Sequence, residues 1–547
     1  MPTFQPYDRV LILALDSVCW DMLLPLAQDG TMSALAAFLR RAHYGVLEST
    51  IPPHTAAAWS TFLTGKDPGK HGIVDFVRFD PVQHKFTFHD SGASQADSIF
   101  TRLSDAGVTC GSIFLPRNYP PFPLKDGYVV SGFETPNAEC KFTYPSDLRD
   151  EVLGISPDLH FNFENDWGDA TTDEGFAQNI ERGVEAIDLL ERMAVHFQRD
   201  RPVRVQVAYL QATDILFHKA WRWCDTKTCN ENPYRREQIK KFFRRVDQML
   251  NRVFGLHSSA SQRMRPGGAA GGGARTLRLI CSDHGHGSSN GRVFINNLLQ
   301  EWGYLKQLGS LGRASRQIKL LTTFDAAARR TKSREMGLDW SGTKAYLAHV
   351  GIYGFVYMNL RGREAHGIVA PEDFEKERDR LIARFMSEKI PGTDRQLFVK
   401  VYKGEEIYAR KKELNLPDLV VVPADGYYPR KKLTRGPSVR STPNSVGGVH
   451  RTEGVYAFEG EGIVPSLGVG ARASIADIAP TLLAALGQPV PRSMTGRPIH
   501  EIFEAPPPTN FIDDTAFNPT IPRGTDVYSR DEEAEIEKRL SDLGYLE

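Results

Sequence analysis

RVLILALDSV, residues 9–18, decides the class of this chain. Residues 10–15 are all apolar and stop at Asp16. A run this short, with no polar alternation, is the pattern of a strand covered on both faces, as in a parallel sheet. Three further stretches read the same way: 108–114, 203–210 and 276–282. Longer helix-period segments lie between them. In 173–197, Phe176, Ile180, Val184, Ile187, Leu190, Ala194 and Phe197 recur at three- and four-residue steps on one face. The alternation predicts an α/β fold, a mostly parallel sheet with helices on both faces. In such sheets ligands bind outside the C-terminal ends of the strands. Three of the four strands run into polar residues there: Asp16, Thr213-Asp214 and Ser282-Asp283-His284.

The 547 residues are enough for roughly three to four domain-sized units, or fewer if one is large. With 41% hydrophobic, 24% charged and 10% aromatic residues, the composition is that of a globular protein and excludes disordered, collagenous and disulfide-built classes. The 67 Lys and Arg cancel the 67 Asp and Glu, so no global field recruits nucleic acid or an anionic membrane. An anionic small-molecule substrate has to be held by local charges or metals. Six scattered cysteines argue against a disulfide framework and against a paired CxxC zinc site, which points to a reducing compartment. No signal peptide is readable, and no stretch approaches the roughly 20 apolar residues of a membrane span. The expected location is the cytoplasm.

Residues 1–304 and 441–504 are expected to form a core, with 305–440 inserted as a smaller cap or accessory region carrying its own signals at 371–389 and 418–422. Residues 505–547 read as an extended strap followed by a charged helix from about Arg530. The run PGGAAGGG at 266–273 has too much backbone freedom for regular structure and reads as a flexible surface loop. No internal repeat is visible.

Among standard motifs, GKDPGK at 65–70 lacks the Walker spacing and no HExxH occurs. What remains is a scattered set. Asp16 follows the first strand; alone it suits a turn or a helix N-cap. Thr55 lies in TIPPHTAAAWSTFLTG (50–65), where two prolines hold the chain extended before an Ala-rich helix start. It suits an N-cap, or equally a nucleophile at the positive end of a helix, where an arriving phosphate is favoured. Asp214 and His218 in YLQATDILFHKAW are four apart, so on a helix they share a face and can chelate one metal or form an ordinary surface pair. Asp283 and His284 in LICSDHGHG follow a strand directly, with glycines that let the backbone turn. His450 in GGVHRTEGVYAF suits a ligand delivered from a loop, or an exposed loop histidine. Together these are three Asp, three His and one hydroxyl, a mixed donor set suited to two Zn²⁺ or Mn²⁺ ions and poor for Mg²⁺ or Ca²⁺.

The order and wording of these pieces resemble the alkaline phosphatase superfamily, in the branch of type I phosphodiesterase and nucleotide pyrophosphatase-like proteins and of phosphohydrolase/phosphomutases. The matching segments are LILALDSV, the stretch 50–76 ending TGKDPGKHGIVDF, ATDILFH, SDHGHG, GGVHRTEG and IADIAPTLLAALGQPVP. The resemblance implies an alkaline phosphatase-like core and two divalent ions, zinc first and manganese second. It implies that Asp214, His218 and His450 hold one ion, and that Asp16, Thr55, Asp283 and His284 hold the other. It further implies Thr55 as nucleophile, a phosphothreonine intermediate, and net retention at phosphorus after two displacements.

The sequence departs from the nucleotide pyrophosphatases at two places: Phe76 stands where they carry Asn, and His54 where a Lys precedes the nucleophile. His54, Arg78 and Arg451 are the candidate replacements for the missing contact to a phosphoryl oxygen. His286 is a candidate for a leaving-group contact or for support behind His284. The expected activity is hydrolysis of a small-molecule phosphoester, a diester ahead of a monoester. The alternative is a phosphomutase of the same superfamily; a more remote one is a non-catalytic binding protein on this fold, against which all seven filled positions argue. A sulfatase is set aside because HTAAAW lacks C/S-x-P-x-R.

Overall fold

The computed structural model describes residues 3–82, 84–94, 96–161, 167–256, 274–309, 337–443, 445–513 and 528–542. The glycine-rich run 266–273 and residues 514–527 of the expected strap lie outside these. The chain divides into two compact units, and the first takes Met1–Ile73, Asp90–Ser288 and Val446–Val527.

The first unit contains the strands β1 (Arg9–Leu15), β2 (His43–Glu48), β3 (Cys110–Ile113), β4 (Tyr128–Val130), β5 (Thr143–Tyr144), β6 (Val205–Leu210), β7 (Thr276–Cys281), β8 (Gly285–Ser288), β9 (Gly448–Arg451), β10 (Glu453–Glu459) and β11 (Ala471–Ser474). Nine of them form one sheet in the order β11-β2-β10-β7-β1-β6-β3-β4-β5. The five central strands, β7 to β4, are all parallel. β10 runs antiparallel to both β7 and β2, and β5 antiparallel to β4. Every residue of β6 is buried, and all of β1 after Arg9. That is the cause of their unbroken apolar sequence.

Register brings the polar endings together. Leu15 of β1 pairs with Leu210 of β6, and Ala14 with Cys281 of β7. The residues that follow these three strands therefore leave the sheet at one edge.

Four helices matter for what is placed there: α1 (Thr55–Thr64), α2 (Asp173–Asp200), α3 (Ala212–Cys224) and α4 (Pro233–Phe254). α2 starts at Thr172, whose side chain accepts from Gly175 N–H, with Asp173 and Glu174 in the first turn. α4 starts at Asn232 with Pro233 at its first position and ends at the left-handed Gly255. The two pack closely: a Cβ at Gly183 of α2 would stand 2.8 Å from the Phe242 ring of α4. Across the same contact the buried Glu191 accepts Arg252 at 2.8 Å and pairs with Arg245 at 2.7 Å.

The second unit comprises Val74–His89, Ser289–Ser445 and Tyr528–Glu547. It contains an antiparallel four-stranded sheet, in spatial order Ala345–Val350, Gly354–Met358, Leu419–Pro423 and Phe398–Lys403. It also holds the helix Phe374–Ser387, whose buried residues include Leu381 and Phe385, and the hairpin Val77–Asp80 with Lys85–Phe88. The final helix is Arg530–Asp542. Among the described residues no single helix is long and apolar enough to cross a membrane. None of the six cysteines forms a disulfide.

Candidate metal centre

Each piece of the site hangs from one structural element of the first unit. Asp16 is the first residue past β1 and is fully buried. Its Oδ2 accepts the hydroxyl of Tyr209 on the neighbouring β6, and its carbonyl accepts Thr213 Oγ1 at 2.6 Å. Asp214 and His218 lie on α3, which starts two residues after β6 ends, and their spacing of four puts Asp214 Oδ1 3.4 Å from His218 Nε2. Asp283 and His284 follow β7 and are fully buried.

Two placements differ from the sequence expectation. His450 is not delivered from a loop: it sits in β9, which pairs with β8 as a two-stranded antiparallel ribbon with His450 opposite His286. The glycines flanking the ribbon allow close approach rather than a sharp turn. A Cβ at Gly285 would meet Glu453 O at 2.1 Å, and one at Gly447 would meet His218 O at 2.0 Å. Thr55, for its part, is the first helical residue of α1, and the cap is His54, whose Nδ1 accepts Ala56 N–H at 3.3 Å.

The donors gather into two groups whose candidate ligand atoms lie within 4.8 Å of one another: Asp214, His218, His286 and His450, and Asp16, Asp283 and His284. In the first group His450 Nε2 is 3.3 Å from Asp214 Oδ1 and 2.8 Å from His218 Nε2. His450 Nδ1 lies 3.3 Å from the Pro53 carbonyl, which only accepts, so Nδ1 carries the proton and Nε2 a lone pair. In the second group His284 Nε2 stands 3.2 Å from Asp283 Oδ2, 3.7 Å from Asp16 Oδ1 and 3.2 Å from Thr55 Oγ1. The rings of His284 and His450 stack at 3.8 Å, so the two groups adjoin.

The electrostatics fit cations. Burial, then the charges of Asp283 and Asp214, pushes the Asp16 carboxyl well above the ordinary carboxylate range. Asp283 is pushed up to about 7, again by burial first. Burial pushes His218 down to about 4, and His284 and His286 well below the usual imidazole range. Neutral imidazoles offer lone pairs. Asp16 Oδ1 and Asp283 Oδ2 are buried and accept no hydrogen bond. Leaving a buried carboxylate oxygen unpaired is costly, and a bound divalent ion removes the cost. The donor set present therefore fits metal ions.

Of the candidate substrate contacts, His54 is buried at the N-terminus of α1 next to Thr55. His286 is buried and belongs with the first donor group, beside Asp214, His218 and His450. Arg451 follows His450 on β9, so strand alternation sends it to the other face, where it lies over Gly287. Arg78 belongs to the second unit, exposed on a hairpin strand opposite Thr87. Two site residues escaped the sequence reading, Tyr209 and Ser17. Tyr209 was legible only through register, as a β6 residue beside Asp16. The letters G-x-S-x-G also occur, at 287–291, but there one strand runs into another, Gly291–Phe294, with no strand-to-helix elbow.

Residues 10–450 match the family described as type I phosphodiesterase / nucleotide pyrophosphatase. No curated protein matches the sequence. Among solved structures the chain is similar to phosphonoacetate hydrolase from Sinorhizobium meliloti, crystallised with phosphonoacetate, with a TM-score of 0.55 at 15% identity, covering 88% of this chain and 96% of that one. It is also similar to murine ectonucleotide pyrophosphatase / phosphodiesterase 5, with a TM-score of 0.50 at 13% identity, covering 90% of this chain and 100% of that one. At these identities the likeness is one of fold.

Proposed function

The chain belongs to the type I phosphodiesterase / nucleotide pyrophosphatase family, a family of metal-dependent phosphoester hydrolases, and on that premise we propose that it is a dinuclear phosphodiesterase whose nucleophile is Thr55. Asp214, His218 and His450 would hold one ion, and Asp16, Thr55, Asp283 and His284 the other. Mixed carboxylate and imidazole donors suit Zn²⁺ first and Mn²⁺ second. When bound, such ions polarise phosphoryl oxygens and lower the pKa of a coordinated hydroxyl.

The chain's own residues do the rest. Burial and the first turn of α1 fix Thr55 Oγ1, 3.2 Å from His284 Nε2, at the end of the helix that favours negative charge. From there Oγ1 attacks phosphorus as the ester oxygen leaves on the opposite side, giving a phosphothreonine. Water then attacks the same phosphorus, the Thr55 oxygen leaves, and the configuration is retained overall. His54, capping the same helix, would contact a phosphoryl oxygen.

The observation that carries this reading is the pair of buried carboxylate oxygens, Asp16 Oδ1 and Asp283 Oδ2, that accept no hydrogen bond beside a hydroxyl and a neutral imidazole. The test is metal analysis of the purified protein with turnover of bis-p-nitrophenyl phosphate and p-nitrophenyl phosphate under added Zn²⁺ or Mn²⁺. Two metals per chain and faster diester cleavage are expected. Thr55→Ala should keep both metals and lose turnover by a factor on the order of 10³ or more. Turnover at the wild-type rate in Thr55→Ala would remove Thr55 from the mechanism. Metals without cleavage of either ester would instead favour a phosphomutase, and absence of metal a non-catalytic protein.

A further inference from the structure

A buried serine sits between the two donor groups, and the chemistry above does not use it. Ser17 follows Asp16 with φ of 67°, in the left-handed region that a non-glycine residue seldom occupies. It is fully buried, and its side chain meets ligands of both groups. Its N–H donates to Asp283 Oδ1 at 3.2 Å. Its Oγ lies 2.7 Å from Asp214 Oδ1, 3.0 Å from His284 Nδ1 and 3.0 Å from His286 Nδ1.

A hydroxyl has one proton to give and two lone pairs with which to accept. The carboxylate of Asp214 only accepts, so the Ser17 proton goes to Asp214. Both lone pairs are then left for the two rings, which requires His284 and His286 to carry their protons on Nδ1. The Gly285 carbonyl, 3.2 Å from His284 Nδ1, demands the same tautomer independently. Each ring is thereby left with its Nε2 lone pair. On His284 that atom faces Thr55 and Asp283. On His286 it is buried with no hydrogen-bond partner.

We propose that Ser17 is a positioning residue that ties the two metal-binding groups into one unit, by fixing the Nδ1–H tautomer of His284 and His286 and holding the inner oxygen of Asp214. The inference rests on the dinuclear reading. Its consequence is that the two ions bind as a coupled pair. Groups that orient a metal-ligating histidine through its second nitrogen are typically worth about 10- to 100-fold in metal affinity.

The test uses Ser17→Gly, whose backbone suits a φ of 67°, and Ser17→Ala, which keeps the Cβ and removes only the hydroxyl. Metal-free wild type and both variants are titrated with Co²⁺ and with Zn²⁺, following stoichiometry, the visible cobalt spectrum and the melting temperature. In both variants we expect affinity to fall about 10- to 100-fold, an altered cobalt spectrum, and a smaller rise in melting temperature on adding zinc. Metal-free Ser17→Gly and Ser17→Ala should both still melt cooperatively, so that the loss of affinity is read on folded protein. Two ions bound to both variants with wild-type affinity and spectrum would overturn the role of Ser17. A wild type that binds fewer than two ions would instead overturn the dinuclear reading beneath it.

Discussion

Asp283 shows how little of a buried acid's role lies in the acid itself. One of its oxygens accepts the Ser17 N–H at 3.2 Å, while the other accepts nothing and stands 3.2 Å from His284 Nε2. Burial first, and the charge of Asp214, raise its pKa, and Asp16 is raised by burial and by the charges of Asp283 and Asp214, so the metal-free protein carries a buried acidic cluster that only protons or cations relieve. Removing one charge from such a cluster should cost metal binding rather than the fold. Asp283→Asn is expected to drop from two metals per chain to one. Its metal-free form should melt no lower than metal-free wild type, because a repulsive buried charge is gone. Elemental analysis and thermal melts check both parts; unchanged stoichiometry would mean that Asp283 is not a ligand.

At the scale of elements, α1 presents Thr55 because it is fastened along its length. His54 caps its start, and Trp59 packs edge-on against Tyr209, which donates to Asp16. It ends at Gly65, left-handed at φ 65°, where a Cβ would stand 2.8 Å from Met494 Sδ and 3.2 Å from Ala479 Cβ. Gly65→Ala should therefore lose about 1–2 kcal/mol from backbone conformation alone, read by denaturant unfolding. A second fastening is titratable. His71, on the short helix Pro68–His71, accepts Ile73 N–H on Nδ1 at 3.1 Å, so its Nε2–H donates to Thr61 Oγ1 of α1 at 2.9 Å. Burial first, then the charge of Arg117, holds His71 down to about 3, from 6.5. The unfolded chain thus binds a proton that the folded one does not, between pH 6.5 and about 3, and stability falls as pH drops through that window. At about 1.4 kcal/mol per unit the loss reaches several kcal/mol, and His71→Gln should flatten the acid slope of stability against pH.

The same elements show what was legible in the sequence. β1, β6 and β7 were readable because burial on both faces forces unbroken apolar runs, and the acids that end them could be read from their position alone. The Asp214–His218 pair followed from helical spacing. The ribbon that carries His450 was not readable, since β8 and β9 are four residues each and pair across the chain with no periodicity of their own. Ser17 was hidden for a similar reason: its left-handed backbone is imposed by partners far away in sequence, with no local signal.

Across the whole molecule, the donors come from all three chain segments of the first unit: Asp16 and Thr55 from the first, Asp214, His218, Asp283, His284 and His286 from the second, and His450 from the third. Among the described residues no donor of either group belongs to the second unit. An ion held by this set therefore closes long loops, His218 and His450 standing 232 positions apart in sequence, and binding energy becomes folding energy for that unit. One ion at 100 times its dissociation constant contributes about 2.7 kcal/mol, so exchange of amides that open with the unit should quicken about 100-fold when it is removed. Hydrogen exchange before and after chelation is expected to show that acceleration in β1, β6 and β7. The strands Ala345–Val350, Gly354–Met358 and Leu419–Pro423, which carry no ligand, should keep their rates. Equal acceleration in both units would mean that they unfold together, and unchanged rates in β1 would mean that no ion is bound where the buried carboxylates converge.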